Sequence, residues 1–259
     1  MLLAKVAATA LLAAPVVPLP QAHAHNDYEH RRPLLDALDC GFGSVEADIW
    51  LVDGELLVAH DRAQCRPERT LRSLYLEPLR QQAKAHDGRV LAGGPVETLL
   101  IDLKSAGPET YAVLRGQLAE YADLLSEVRD NQLTERAVTV VLSGNCPRAE
   151  LLADNPRYAG IDGRAADLDS DLPAHAMPLI SDTWLGQFRW LGNGDMPEAQ
   201  RLKLTTMAQR AHQHGRRLRF WATPAVDSLW RELLAAKVDL IGSDDLPRLR
   251  DFLLAQPRG

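Results

Sequence analysis

Eight short apolar runs, most of them separated by stretches of helical periodicity, constrain the fold of this chain more than any other feature of its sequence. They are PLPQAHAH (18–25), SVEADIWLV (44–52), ETLLIDLKS (97–105), AVTVVLSG (137–144), RYAGIDG (157–163), MPLISD (177–182), RLRFWATP (217–224) and VDLIGSDD (238–245). Apolar residues at helical spacing cover 71–86, 109–129, 198–215, 227–237 and 246–256. Gly215 is placed to close the third of these helices and Asp227 to cap the start of the fourth. Strands alternating with helices specify a parallel sheet, because parallel neighbours need a long crossover. Eight such units in about 240 residues fit one closed (β/α)8 TIM barrel, which typically takes about 250 residues. The Asp53-Gly54 pair joins SVEADIWLV to ELLVAH (55–60) and predicts a tight hairpin.

Two domain segments follow. Residues 1–20 read as an export signal: Lys5 precedes an apolar run over 6–14 that is too short to span a bilayer, and small residues follow. The alternative is an N-terminal strand or helix docked on the barrel. Residues 21–259 make up the single barrel domain. Export would place the chain in the periplasm or outside the cell, where Cys40 and Cys65 could bridge and leave Cys146 over. No Cys-x-x-Cys pair exists for a thiolate zinc site. A formal charge of −6 and 5% aromatics argue against a nucleic-acid surface or a base-stacking platform. No phosphate-binding loop, dinucleotide fingerprint or serine-hydrolase elbow appears, the sequence around Ser143 being LSGNC.

In a parallel barrel all strand ends share one face, the face that carries active sites. The runs here end in polar residues: His25-Asn26-Asp27, Glu46 and Asp48, Asp102 and Lys104, Ser143, Asp162, Ser181-Asp182, and Ser243-Asp244-Asp245. Glu46 and Asp48 alternate by two and so share one strand face, about 6.6 Å apart along it. Asp102 and Lys104 repeat that spacing on the third run. Three converging carboxylates repel one another, and a hard divalent cation, Mg²⁺ or Ca²⁺, would resolve this with oxygen ligands. Ion pairs with Lys104 and nearby arginines would resolve it as well. His25 and His60 stand at run ends beside this cluster, with the titration range general acid–base work requires. A strict two-residue hairpin pairs Ala59 with Asp48 and turns His60 away from the cluster, so His60 reaches it only if the return leg bulges or stops first. Trp221 is placed to wall a pocket or to pack at the rim. His23 reads as packing deeper on the first strand.

The segment HAHNDYEHRRPLLDALDCGFGSVEADIWLVDGELLVAHD resembles the opening of the glycerophosphodiester phosphodiesterase and phospholipase-C-like phosphodiesterase superfamily. The matching elements are His25, Gly43, Glu46-Ala47-Asp48, Asp53-Gly54 and His60-Asp61. IDLKS resembles the superfamily's acidic-x-Lys motif, in the form of its sphingomyelinase-D-like branch. RFWATP resembles its seventh-strand aromatic motif, and VDLIGSDDLPRLRDFL its last strand. One departure stands out: where the glycerophosphodiesterases carry His-Arg-Gly, with the arginine on phosphate, this chain has His25-Asn26-Asp27. The His-Asn-Asp-Tyr form is similar to a bacterial phospholipase-C-like branch.

The resemblance implies phosphodiester hydrolysis of a small-molecule or lipid substrate, with peripheral membrane contact allowed and no nucleic acid or protein partner implied. It places one divalent cation on Glu46, Asp48 and Asp102, assigns His25 and His60 to acid–base catalysis and Lys104 to charge neutralisation, and brings Asn26 and Trp221 to the substrate. Two other readings stay open: a metal-independent lyase of the phosphatidylinositol-specific phospholipase C type, and a non-catalytic binding barrel.

Overall fold

The computed structural model describes residues 16–257. Its strands are β1 (Leu19–Ala24), β2 (Phe42–Val52), β3 (Glu55–Val58), β4 (Glu97–Leu103), β5 (Glu127–Arg129), β6 (Gln132–Thr134), β7 (Val138–Gly144), β8 (Ala159–Gly163), β9 (Leu179–Thr183), β10 (Arg217–Trp221) and β11 (Leu240–Ser243). Its helices are α1 (Leu35–Asp39), α2 (Glu77–Ala85), α3 (Gly107–Ala119), α4 (Arg148–Ala153), α5 (Trp184–Gln187), α6 (Glu198–Gln213), α7 (Asp227–Ala235) and α8 (Leu246–Leu254). Strands β1, β2, β4, β7, β8, β9, β10 and β11 pair in parallel in that order, and β11 returns to β1. The ring of eight is the expected TIM barrel. No helix among the described residues is long and apolar enough to cross a membrane.

β1 opens at Leu19, inside the segment assigned to export. Leu19 is buried and donates its N–H to Gly41 O. Residues 1–15 of that segment lie outside the described residues. Cys40, Cys65 and Cys146 are free thiols.

The strand register fixes which side chains enter the barrel. His23 lies beside Ser44 and Gly242, Glu46 beside Leu100, Leu100 beside Val141, and Ser181 beside Arg219. Alternation then turns every second residue of each strand inward. Leu100, Val141, Leu179 and Leu240 form a small apolar cluster of their own, a dry plug across the barrel. Above it the inward residues are polar: His23, Glu46, Asp162, Ser181 and Arg219, each less than a tenth exposed. Nearer the carboxyl ends come His25, Asp48, Asp102, Ser143 and Trp221. Outward residues such as Val45, Ala47, Ile101 and Leu142 join the main core beneath the helices.

Two local expectations are corrected. The helix expected over 109–129 ends at Ala119. Beyond it Leu124 and Leu125 both bond back to Tyr121 O, and Ser126 N–H reaches Val138 O, so pairing with β7 pulls the backbone out of the helix. Glu127–Arg129 instead forms a hairpin with β6 across Asp130-Asn131, both in the left-handed region at φ 51° and 63°. Asp227 does not cap α7. It is the first helical residue, Val226 holds the cap position, and the Asp227 carboxylate pairs with Arg248 at 3.2 Å. Gly215 behaves as expected, closing the turn after α6 at φ 68°.

Candidate active site

The Asp53-Gly54 hairpin decides where His60 goes. Both turn residues have positive φ (49° and 87°), and Val52 pairs with Glu55, the geometry of a primed two-residue turn. The return strand stops at Val58. Ala59 donates one last N–H to Asp48 O at 3.2 Å, and the chain then leaves the sheet. Released from strand alternation, the His60 ring turns back: Nδ1 is 3.5 Å from Asp48 Oδ2 and 3.1 Å from the Tyr28 hydroxyl.

Tyr28 is the hub of this side of the site. Its hydroxyl lies 2.7 Å from Asp48 Oδ2, and the Asn26 side-chain amide is 2.8 Å away. The single phenolic proton goes to the buried carboxylate, which leaves the oxygen to accept from His60 Nδ1–H. That bond fixes the tautomer and leaves Nε2 of a half-exposed ring for chemistry. Asn26, in the left-handed region at φ 48°, turns the chain from β1 into this cluster. His25 follows the same logic from the other side. Its Nδ1 donates to Asp244 Oδ1 at 2.7 Å, which leaves its own Nε2 free.

The carboxylates divide between two cations. Lys104 Nζ is 3.0 Å from Asp48 Oδ2 and pairs with Asp102 Oδ2, while Asp102 Oδ1 accepts from Ser143 Oγ at 2.6 Å. Burial works against the Lys104 charge, but Asp102 and Asp48 together hold its pKa above the usual value. Glu46 Oε2 accepts from Arg219 Nη2 at 2.7 Å and from His23 Nε2 at 3.1 Å. Burial pushes the Glu46 carboxyl up, yet Arg219 and His23 hold it below the usual range. His23, lowered to about 3 by burial and then by Arg219, is neutral; with its proton on Nε2 toward Glu46, Nδ1 accepts from Ser44 Oγ at 2.7 Å. Asp48 is pushed up to about 6, first by burial and next by the Glu46 charge. Its Oδ1 is buried without any partner among the described residues.

That orphaned oxygen bears on the expected cation. An unpartnered carboxylate oxygen beside a second carboxylate, all donors being oxygen, suits a hard divalent ion. The three expected ligands do not form a ready-made cage: among the described residues no three His, Cys, Asp or Glu side chains are grouped closely enough to hold a metal. Both oxygens of Asp102 are already engaged by Ser143 and Lys104. Glu46 and Asp48 therefore fit the ion best as they stand, and Asp102 joins them only by loosening its grip on Lys104.

Trp221, 42% exposed at the end of β10, walls a cavity of about 110 Å³ together with His25, Arg219 and Asp244. The expected site residues thus fall on one barrel face in two linked groups: His60, Asn26, Asp48, Lys104 and Asp102 on one side, and His25, Trp221 and Glu46 on the other. Three participants were not foreseen as such: Tyr28, Arg219, and Asp244 as the His25 partner. His23, expected as packing, is buried but bonds directly to Glu46. Arg219 had a signal, since it stands two residues before Trp221 and so shares its strand face.

Comparison with known proteins bears on the family and the fold. The sequence profile of the AIM6-like phosphodiesterase domain matches residues 11–161. "Altered inheritance of mitochondria protein 6" of Eremothecium gossypii is 31% identical over 281 residues, covering 95% of this chain and 72% of that one. The homolog of that protein in Arthroderma benhamiae is 27% identical over 267 residues, covering 92% and 84%. Among solved structures, a glycerophosphodiester phosphodiesterase from Parabacteroides distasonis shares the fold with a TM-score of 0.54 at 14% identity, covering 91% of this chain and 97% of its own. The profile match over more than half the chain and the near full-length relative together establish that this chain belongs to the AIM6-like phosphodiesterase domain family.

Proposed function

We propose that this chain is a metal-dependent phosphoric diester hydrolase acting on glycerophosphodiesters or (lyso)phospholipid headgroups. One observation carries the reading. Two imidazoles, His25 and His60, stand at the same barrel mouth, each with Nδ1 held by an oxygen partner and Nε2 without one among the described residues. Two rings locked in this way suit a base and an acid on opposite sides of one phosphorus. One ring takes the proton of the attacking hydroxyl, from water or from a neighbouring group of the substrate. The other, entering the step as imidazolium with a proton on Nε2 as well, gives that proton to the leaving oxygen as the P–O bond breaks. Lys104 neutralises charge that develops on the phosphoryl oxygens. Glu46 and Asp48, joined by Asp102, would hold Mg²⁺ or Ca²⁺, which when bound polarises a non-bridging oxygen. Trp221 and Asn26 would flank the substrate.

The buried Arg219–Glu46 pair favours a second reading, in which a guanidinium serves where the cation would and the enzyme is a metal-independent lyase. One assay separates the two. Glycerophosphodiesters, lysophospholipids and bis-p-nitrophenyl phosphate are incubated with the protein, with and without chelator and added Mg²⁺, Ca²⁺ or Mn²⁺. Turnover that chelator abolishes and a divalent ion restores supports the hydrolase. Chelator-resistant turnover supports the lyase, and no turnover of any substrate with any ion supports a binding barrel.

A further inference from the structure

Arg219 has more hydrogen-bonding capacity than its surroundings use. A guanidinium carries five N–H donors, and the one bond Arg219 makes among the described residues is Nη2–H to Glu46 Oε2. That oxygen is shared with His23. The Nε of Arg219 is buried with no acceptor among those residues. A buried donor without a partner costs on the order of 1–3 kcal/mol, more when it is charged, so the arrangement is incomplete as it stands. The other cations at the mouth are committed: Lys104 lies between Asp48 and Asp102, and Arg164 pairs with Asp162 at 2.8 Å. Arg219 also lines the small cavity with His25 and Trp221, where a reacting phosphoryl group would meet His25.

On the other flank of Glu46 stands the opposite deficiency, the orphaned acceptor Asp48 Oδ1. Glu46 thus lies between a donor lacking an anion and an acceptor lacking a cation. A guanidinium and a divalent ion compete for one carboxylate, because each neutralises the charge the other needs. Resting on the hydrolase reading, we infer that Arg219 is the phosphoryl-gripping cation of this site, parked on Glu46 until the anion arrives. It supplies from β10 the planar two-pronged contact that His25-Asn26-Asp27 lacks. As the anion draws Arg219 away, the full charge of Glu46 is released to the metal, which Glu46 and Asp48 then hold more tightly.

The test needs no turnover. Mn²⁺ binding is measured by the paramagnetic resonance of the free ion, and inorganic phosphate binding by calorimetry in chelator, for the wild type, Arg219→Gln and Arg219→Lys. In Arg219→Gln the two affinities move in opposite directions: Mn²⁺ binds roughly tenfold more tightly because its competitor is gone, and phosphate roughly tenfold more weakly. Arg219→Lys keeps the charge and serves if the glutamine variant does not fold. Its Mn²⁺ affinity stays within about threefold of wild type while phosphate still weakens, because a point charge replaces the fork. If both affinities fall together in Arg219→Gln, or if phosphate binds every variant alike or does not bind the wild type, Arg219 merely anchors Glu46 and the inference fails. If wild-type protein binds no Mn²⁺ that Asp48→Asn removes, the metal-dependent reading fails instead, and the phosphate arm still decides the role of Arg219.

Discussion

Mild acid should stabilise this protein, against the usual trend. Asp27, Asp48 and Asp162 are each pushed up to about 6, chiefly by burial, whereas an aspartate in an unfolded chain titrates near 3.9. A carboxyl raised in this way takes up its proton in the native state first. Its contribution is fully present below the unfolded value and is lost as pH rises through 6. Between pH 7 and pH 5 each of the three is worth about 1.3 kcal/mol, or about 4 kcal/mol together. His23 acts in the opposite sense. Burial and Arg219 lower it to about 3, so the unfolded chain binds a proton near pH 6.5 that the native ring refuses, and about 2 kcal/mol is lost over the same interval. His175, half-buried beside Arg157 and also lowered, adds a little to that loss. Carboxyls held low, such as Glu46, Asp167 and Glu232, lose their contribution only as pH falls through their depressed values, outside this window. Glu97, fully buried and pushed well above the usual carboxylate range, adds to the gain in the same sense as the three aspartates. Even without it the balance is a gain of about 2 kcal/mol at pH 5 over pH 7, equivalent to about 4–8 °C in Tm for a chain of this size, so at least that much is expected. Urea unfolding in chelator at pH 5, 6 and 7, followed by tryptophan fluorescence, measures it. Asp162→Asn removes one titrating group and should shrink the gain by about 1.3 kcal/mol. A wild type whose stability falls steadily from pH 7 to 5, or an Asp162→Asn protein with the full wild-type gain, would refute the assignment of neutral buried carboxyls.

The remaining expectations concern the site itself. His25→Ala and His60→Ala should each lose about 10²–10⁴ in kcat with unchanged far-ultraviolet circular dichroism, the usual cost of a missing general acid or base; an unaffected variant would remove its histidine from the chemistry. Tyr28→Phe takes a hydrogen bond from the buried Asp48 carboxylate, a contact of about 1.5–3 kcal/mol to a charged group. If ionised Asp48 is needed, the acid limb of kcat/KM should move up by about one to two pH units, and a pH profile that stays in place would show that Tyr28 does not support Asp48. Mg²⁺ at about 100 times its Kd should stabilise the fold by about 2.7 kcal/mol at pH 7, and by less at pH 5, where protonated Asp48 competes. Thermal unfolding reads this shift, and an equal shift in Asp48→Asn would place the ion elsewhere.

The barrel was legible because its signals are periodic and redundant. Eight runs, a turn dipeptide with mandatory positive φ at Asp53-Gly54, and polar strand ends each specify the same architecture, so one weak signal does no harm. The site was legible only as far as alternation reaches. Glu46, Asp48 and Asp102 sit on regular strands, where spacing by two settles the face, and Lys104, the first residue past β4, keeps the alternation because its N–H still bonds to Ile49 O. Tyr28 and His60 lie just past strand ends, where no period applies, and their meeting depends on where β3 stops. The α3 overrun has the same origin in reverse, because Leu124 and Leu125 keep a helical pattern while β7 competes for their backbone. Arg219 is the instructive miss. Alternation places it inside the barrel with Arg217 and Trp221, but a charge in a barrel interior runs against the expectation that interiors are apolar. The dry plug of Leu100, Val141, Leu179 and Leu240 explains how it is tolerated. The plug seals the barrel below, so the layer above can be polar, with Glu46 beside Arg219 and His23 kept neutral between Glu46 and Ser44. A charged interior layer over an apolar seal offers little packing stability that an all-apolar layer would not, and it leaves several buried polar atoms unpartnered among the described residues: Arg219 Nε, Asp162 Oδ1 and Ser181 Oγ within it, and Asp48 Oδ1 just above. Of these, Arg219 Nε and Asp48 Oδ1 flank Glu46, where a bound anion and cation would complete them.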